Sequence, residues 1–587
     1  MATTDSFVLG LSITNHDSSA TLLRNGAVIY ALNEERFTRV KNQRGFPKKS
    51  VSIILREAKI DWENIERLAI SEPIHSNPDS RSKEFIDIET TFHRGVYELL
   101  ATISYNKFPL NNIDFHNHYL SHAASTFFPS NFRSASVLCL DAAGQGLSGA
   151  TYIGENNSLT LLRTWTLNES IGIFYSAFTA FLGFKVNEGE YKLMGLSAYG
   201  KPKYTDLIRE TFVKGKGFLL STDYYNLNLS DVDATAAKRM YTDKFIERFG
   251  QPFEKKSSQR FDPNTPTDES LQYMADIASS VQTIAEEEII ARAKDLVELT
   301  GNTNLCLAGG VALNCLANQK ICKLSNINLF VQPNAGDAGA SLGAAYLSHQ
   351  KASENKNKQM TPCPRTENQR FSYGIEYPLK EIQDSLKTIL NSRSFTSNVH
   401  ERTQFIKTLA RILADNKVVG FFEGQSEWGP RALGNRSIIA SPALNEMKER
   451  LNSSVKFREP YRPFAPVIID VFAKDYFDVD LDPNLHYSLY STMTVTAYAN
   501  ERALASAPAS VHFDGTSRIQ VLRRSNNELL YDIIYEFFKI TGIPLLINTS
   551  FNLNGEPNVE SPSDAAITFS YSGIEVLAMF PYIIERL

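Results

Sequence analysis

No stretch restricts the fold of this chain as much as the one from Gly424 to Phe464. It carries seven cations, Arg431, Arg436, Lys448, Arg450, Lys456, Arg458 and Arg462, against four acids. Gly429, Gly434 and four prolines, Pro430, Pro442, Pro460 and Pro463, break the run. Proline removes a backbone donor and glycine loosens a helix, so much of the stretch is predicted to be shaped loop rather than one charged helix face. Guanidinium forks on stiff backbone bind the oxygens of a small phosphate-bearing ligand in pairs. A solvated basic surface is the plainer alternative, but W-G-P and Y-R-P-F are not the surroundings of ordinary surface charge. The sequence therefore points to a small-anion site in the C-terminal third.

A chain of 587 residues is too long for one hydrophobic core, so two or three domains are expected. The net charge of −5 argues against a general nucleic-acid partner. The five cysteines, Cys139, Cys306, Cys315, Cys322 and Cys363, are scattered and form no C-x-x-C. That suggests neither a disulfide framework nor a thiolate zinc site. The opening residues, MATTDSFVLGLSI, lack a basic n-region, and no segment approaches the length of a membrane span. The expectation is a cytoplasmic protein with no membrane partner.

Apolar Phe7–Ile13 reads as a strand and T-N-H-D-S-S as a turn. Ala20–Leu23 and Val28–Leu32 read as a hairpin closed at Asn25-Gly26. A strand, a turn carrying His or Asp, then a hairpin resembles the opening of an actin-like nucleotide-binding core. Two later strand-turn units fit that plan, Ala135–Leu140 running into Asp141 and Asn304–Leu307 running into Ala308-Gly-Gly. Leu271–Leu299 has the spacing of one long amphipathic helix. Gln350–Gln369 is polar, charged and proline-bearing, and it is the predicted linker between domains at 1–355 and 370–587. Residues 205–265 are polar and irregular and are predicted to be an insertion. No internal repeat is visible.

His118 and His122 stand four apart in helix-forming sequence, so both rings would project from one helix face and share a metal. Two imidazoles make half a site. Asp141 and Asp337, at predicted strand ends, are the candidates to complete it. Asp337 would also lie at a helix start, beside amides able to hold phosphate. Two His with carboxylates suit Fe, Mn or Zn. Packed or exposed histidines are the plainer alternative. Gly309 and Gly310 let backbone approach a nucleotide, although tight strand-helix packing explains them equally. No G-x-x-x-x-G-K-[ST] is present, so a P-loop is not indicated. Glu188–Gly200, with Lys192, could line a cleft or be a packed loop.

Together these motifs resemble the O-carbamoyltransferases of the NodU and tobramycin-carbamoyltransferase type. The resemblance rests on His16-Asp-Ser-Ser-Ala20, Glu34-Glu-Arg-Phe-Thr-Arg39 with Lys41, His118-x-x-x-His122, Lys192-Leu-Met-Gly-Leu196 and Gly309-Gly-Val-Ala-Leu-Asn314. Towards the C-terminus it rests on Gly429–Ser437, Lys456–Phe464, Asp514–Arg518 and Asn548–Asn552. It implies α/β and α+β architecture, with an N-terminal actin-like (ASKHA) nucleotide-binding domain and a C-terminal YrdC-like domain. It also implies that carbamoyl phosphate is cleaved, that ATP activates the carbamate as carbamoyl-adenylate, and that a hydroxyl of a small-molecule acceptor takes the carbamoyl group. The implied cofactors are a divalent metal, iron by analogy, and Mg-ATP as co-substrate. The implied roles are His118, His122, Asp337 and Asp141 for the metal; Gly309, Gly310, Asn314 and Lys192 for the nucleotide; His16 as general base; and Lys41 against developing negative charge. Lys456, Arg462, Arg518, Asn548 and Ser550 would bind carbamoyl phosphate, with Arg431 and Arg436 either contacting it or bracing the loops.

Three other readings compete. A threonylcarbamoyl-adenosine tRNA-modification enzyme would need a basic RNA face, which the net charge disfavours. An actin-like sugar kinase leaves the cationic segment without a task. A non-catalytic ATP scaffold leaves the histidine pair unexplained. The acceptor is not legible, because motifs say what is transferred rather than to what.

Overall fold

The structure, a computed structural model, describes residues 5–14, 16–71, 95, 97–227, 240–253, 269–355, 371–390, 395–482 and 487–586. The chain forms two compact units, residues 1–34 with 42–365 and residues 35–41 with 366–587. Both are mixed α/β. Most of the expected linker, Gln350–Gln369, lies outside the described residues. Among the described residues no helix is long and apolar enough to cross a membrane.

The first unit is built on two five-stranded sheets. One contains β1 (Phe7–Ser12), β2 (Ser19–Arg24), β3 (Ala27–Asn33), β4 (Ile65–Ser71) and β5 (Ile113–His116), in the order β3-β2-β1-β4-β5. The other contains β6 (Ser134–Gly144), β7 (Leu147–Glu155), β8 (Ser158–Thr166), β9 (Asn304–Ala308) and β10 (Asn328–Val331), in the order β10-β9-β6-β7-β8. In each sheet the first three strands pair antiparallel and the last two join in parallel. Numbered from its own first strand, the second sheet repeats the first. β1 is buried along nearly its whole length, as expected for a strand covered on both faces.

The helix Ala340–Asn355 ties this unit together, and small residues let it. A Cβ on Gly10 of β1 would sit 2.1 Å from the Ser341 carbonyl oxygen, and one on Gly343 would sit 1.8 Å from the Ser121 carbonyl oxygen. Strand, helix and the neighbouring helix His118–Phe127 therefore meet at backbone distance. The long helix is observed at Glu269–Thr300. Within 205–265, residues 228–239 and 254–265 lie outside the described residues. What is described carries Phe212, Phe218, Tyr225, Phe245 and Phe249, whose rings pack on Phe174 and Phe178 of the helix Ile171–Phe181. The polar look of this segment conceals an aromatic core.

The second unit is an eight-stranded mixed sheet. Its strands are β11 (Phe395–Val399), β12 (Val419–Phe422), β13 (Arg436–Ala440), β14 (Ala465–Ile469), β17 (Gln520–Leu522), β18 (Leu545–Ser550), β19 (Val576–Met579) and β20 (Tyr582–Arg586). They run in the order β11-β20-β19-β12-β13-β18-β14-β17, and β15 (Ala497–Tyr498) pairs separately with β16 (Thr516–Ser517). Phe422, Ile438, Leu451, Phe551 and Leu577 share its core. The cationic stretch is loop over residues 424–435, 441–445 and 457–464. Its middle holds β13, then the helix Glu446–Arg450 continuing as a wider π turn over Leu451–Lys456. Met447, Leu451 and Val455 face the core at helical spacing, and no glycine or proline interrupts them, so helix prevails there.

Candidate functional site

In the first unit, Asn117 caps the helix His118–Phe127 by accepting from the Leu120 amide at 3.1 Å. This sets His118 and His122 one turn apart on a buried face. Asp141 sits where the β6–β7 register shifts, and Asp337 opens the short turn that leads into Ala340–Asn355. The Ser12 hydroxyl donates to the Asp337 carbonyl at 2.8 Å, and the Ser19 hydroxyl to the Ala338 carbonyl at 2.6 Å, so β1 and β2 fix that turn. One ligand atom from each of His118, His122, Asp141 and Asp337 lies within 4.8 Å of all the others. Gly144 makes room, since a Cβ there would be 2.3 Å from the His118 ring.

Asp337 is the electrostatic centre. Its oxygens lie 3.4 Å from His122 Nε2, 3.9 Å from His118 Nε2 and 3.6 Å from His16 Nε2. Asp141 lies 3.5 Å from His122 Nε2. Burial pushes the Asp141 carboxyl up, and the Asp337 charge adds to it. Burial acts the same way on Asp337, but His16, His122 and His118 overcome it and hold the carboxyl well below the usual range. Burial opposes charge on His16, yet Asp337, Asp17 and Asp141 raise it to about 10. Two imidazoles and two mutually repelling carboxylates, three of the four buried, form a donor set that fits a divalent cation such as Fe, Mn or Zn.

The expected nucleotide residues are placed around this cluster unequally. Gly309 has φ +86°, and a Cβ there would meet the Leu140 carbonyl oxygen at 2.1 Å, so the turn requires glycine. The Gly310 amide donates to Asp141 at 3.2 Å. The Asn314 side chain caps the helix Cys315–Cys322 and exchanges hydrogen bonds with Gln282 at 2.9 and 3.2 Å. Lys192 is half-buried on the helix Glu190–Ser197, its ammonium 5.9 Å from the Phe184 ring centre.

In the second unit, Lys456 ends the π turn and is buried. Its ammonium donates to the Ser550 carbonyl, to Ser550 Oγ at 3.1 Å, and to Asn552 O and Oδ1 at 3.2 and 2.7 Å. All four acceptors are neutral. Burial, then Arg458, Arg462 and Lys41, push its pKa well below that of an ordinary lysine. Lys41 is thus placed in the second unit, with its charge felt at Lys456. Arg462 lies 3.5 Å from Glu459, and Arg518 is half-buried just after β16. The Asn548 amide donates to Ala432 O at 3.1 Å and to Gln520 Oε1 at 2.7 Å, so it braces the loop before β13.

Arg436 is fully buried over Phe422, and its guanidinium donates to the carbonyls of Glu423, Gly424, Asn435, Glu560 and Ile375 at 2.8–3.1 Å. It is a brace. Arg431 is half-buried on the same loop. Sequence reasoning missed Glu427, whose Oε1 accepts from the amides of Leu433, Asn435 and Arg436 at 2.7–3.1 Å. It also missed Glu560, which accepts from Ser426 Oγ at 2.8 Å. An acid isolated among cations and glycines was the available signal for Glu427.

Comparison with known proteins bears on both units. A family model described as carbamoyltransferase N-terminus matches residues 7–346, and one described as carbamoyltransferase C-terminus matches residues 410–586. An uncharacterized protein of Synechocystis sp. is 33% identical over 99% of this chain and 96% of its own length. Nodulation protein NolNO of Sinorhizobium fredii is 31% identical over 97% of this chain and 79% of its own length. Nodulation protein NolO of Bradyrhizobium diazoefficiens is 33% identical over 80% of this chain and 79% of its own length. With family models matching in both units and full-length relatives above 30% identity, the chain belongs to the carbamoyltransferase family and is a carbamoyltransferase.

Proposed function

We propose that this carbamoyltransferase takes its carbamoyl group from carbamoyl phosphate, activates it with ATP as carbamoyl-adenylate, and transfers it to a hydroxyl of a small sugar or natural-product acceptor. The observation that carries this reading is Lys456. A buried ammonium held by four neutral oxygens, with more cations than acids around it, is stabilised by an arriving dianion. Arg462, Arg518 and Lys41 supply further positive charge in the same unit, and Ser550 offers a neutral hydrogen bond. This unit is read as YrdC-like. The first unit, with its two sheets of the same strand order, is read as actin-like and as the nucleotide side.

The reaction balances in three steps. Water cleaves carbamoyl phosphate to carbamate and inorganic phosphate. A carbamate oxygen attacks the α-phosphorus of ATP and pyrophosphate leaves. The acceptor oxygen then attacks the carbamoyl carbon, AMP leaves, and the hydroxyl proton passes to His16 Nε2. Carbamate decomposes in water, so its sites must exclude bulk solvent.

His118, His122, Asp141 and Asp337 would hold a divalent metal. When bound, such a cation would neutralise charge on a departing phosphate and would offset the field by which Asp337 keeps His16 protonated. His16 in its neutral form is then the base, turned by its contact with Asp17 at 3.0 Å. The Gly310 amide holds Asp141 in place.

The test is inorganic phosphate release from carbamoyl phosphate by purified protein. Lys456→Ala is expected to reduce kcat/KM at least 100-fold, while His118→Ala leaves this first step within threefold. Equal loss in both variants, each folded, would contradict a donor site built around Lys456.

A further inference from the structure

Four buried charged groups lie beneath the cationic loop, and they come from distant parts of the chain. Arg436 and Glu427 belong to the loop and its strand, Glu560 lies beyond β18, and Arg36 lies near the start of the sequence. Arg36 sits on the short helix Glu34–Thr38, within the segment 35–41 that joins the second unit. Its guanidinium donates to the carbonyls of Gly429, Val559 and Glu427 at 3.2, 3.4 and 3.5 Å. Arg39 follows, donating to Asn558 O and Pro557 O at 2.6 and 2.9 Å, with Asp564 at 3.7 Å. The segment ends at Lys41.

Arg36 and Glu427 divide the work of shaping the loop. Arg36 grips the main chain where the loop begins, at Glu427 and Gly429. The Glu427 carboxylate grips it where the loop ends, at the amides of Leu433, Asn435 and Arg436. Charge balance depends on the same residue. With Arg36 present, two guanidiniums, Arg36 and Arg436, act on the buried Glu560 carboxylate, and Arg436 also faces Glu427. Without it, one guanidinium faces two buried carboxylates, an arrangement that buried sites do not tolerate.

We infer that Arg36 is a positioning residue for the donor-binding loop, and that the segment 35–41 completes the second unit from near the start of the chain. The catalytic part of this inference rests on the carbamoyl-phosphate reading of that unit. Arg36 acts through main-chain carbonyls, so its effect reaches the ligand only through the shape of the loop.

The test uses the full-length chain with Arg36→Ala, Arg36→Lys and Arg39→Gln. Phosphate release from carbamoyl phosphate is measured with hydrogen exchange at the Leu433, Asn435 and Arg436 amides. Arg36→Ala is expected to raise KM for carbamoyl phosphate at least tenfold with a smaller change in kcat, and to speed exchange at those amides at least tenfold. Methylguanidinium in solution should restore Arg36→Ala in part and leave Lys456→Ala unchanged. A point-like ammonium lacks the spread of the planar guanidinium fork that reaches Gly429, Val559 and Glu427, so Arg36→Lys should recover little. If Arg36→Ala does not fold, Arg39→Gln, at a more exposed position, is expected to raise KM about threefold and loosen the Asn558 and Val559 amides. Folded variants with KM within twofold of the parent and unchanged exchange would overturn the inference. A parent protein that releases no phosphate would sink the carbamoyl-phosphate reading alone, and amide exchange would still decide the role of Arg36.

Discussion

Lys456 shows how a single side chain can be read for function. Its pKa is depressed chiefly by burial and then by Arg458, Arg462 and Lys41, and in the proposed donor site it must be charged to bind a phosphate. As pH rises it loses its proton earlier than an ordinary lysine near 10.4, so KM for carbamoyl phosphate should begin to climb below that value. Past the residue's own pKa the rise should be about tenfold per pH unit. Lys456→Met should raise KM at least tenfold and abolish this dependence, which steady-state kinetics across pH would show. Stability follows the opposite course. The folded state holds this proton less tightly than the unfolded state, so the residue costs stability below its lowered pKa, and that cost vanishes as pH rises to the ordinary lysine range. The four residues clustered within 4.8 Å were legible because an i, i+4 histidine pair and acids at strand ends are local signals. Glu427, Glu560 and Arg36 were not, because their roles come from carbonyls and amides far away in sequence.

At the scale of elements, the cluster of His118, His122, Asp141 and Asp337 depends on how closely two helices cross. Gly343 on Ala340–Asn355 faces the Ser121 carbonyl, and a methyl group there would lie 1.8 Å from it. Gly343→Ala must push the helix carrying His118 and His122 away from Asp337. Overpacking of this kind costs about 1–3 kcal/mol. We expect at least a tenfold loss of divalent-metal affinity in a metal titration. Unchanged affinity in folded Gly343→Ala would remove the helix crossing from this account. Strands β1, β2, β3, β6 and β9 and the long helix were visible as period and turn chemistry. The second sheet's repetition of the first was not, since a shared strand order needs only matching patterns of burial. The π turn before Lys456 was hidden by the prolines and glycines flanking it.

At the scale of the whole molecule, the proposed reaction divides between the two units. A ligand that binds only the folded form stabilises it by about 2.7 kcal/mol at 100 times its Kd. Calorimetry should therefore show two transitions, with carbamoyl phosphate raising one and ATP with a divalent metal raising the other. His118→Ala should lose the second shift and keep the first. A single transition raised equally by both ligands would contradict that division. The predicted boundary rests on the polar stretch near 350–369, which is a local signal of composition. It did not reveal that residues 35–41 join the second unit, because that membership is written in the carbonyls Arg36 and Arg39 reach rather than in their neighbours.

The central claim is that ATP is cleaved to activate a carbamoyl group rather than to phosphorylate a substrate. Pyrophosphate and inorganic phosphate should be measured together, with metal-loaded protein, ATP, carbon-labelled carbamoyl phosphate and a panel of hydroxylated acceptors. One pyrophosphate is expected for each carbamoyl phosphate consumed, with AMP as the other nucleotide product and label recovered in an adenylate or in the acceptor. Formation of ADP, or consumption of ATP indifferent to carbamoyl phosphate, would contradict that claim.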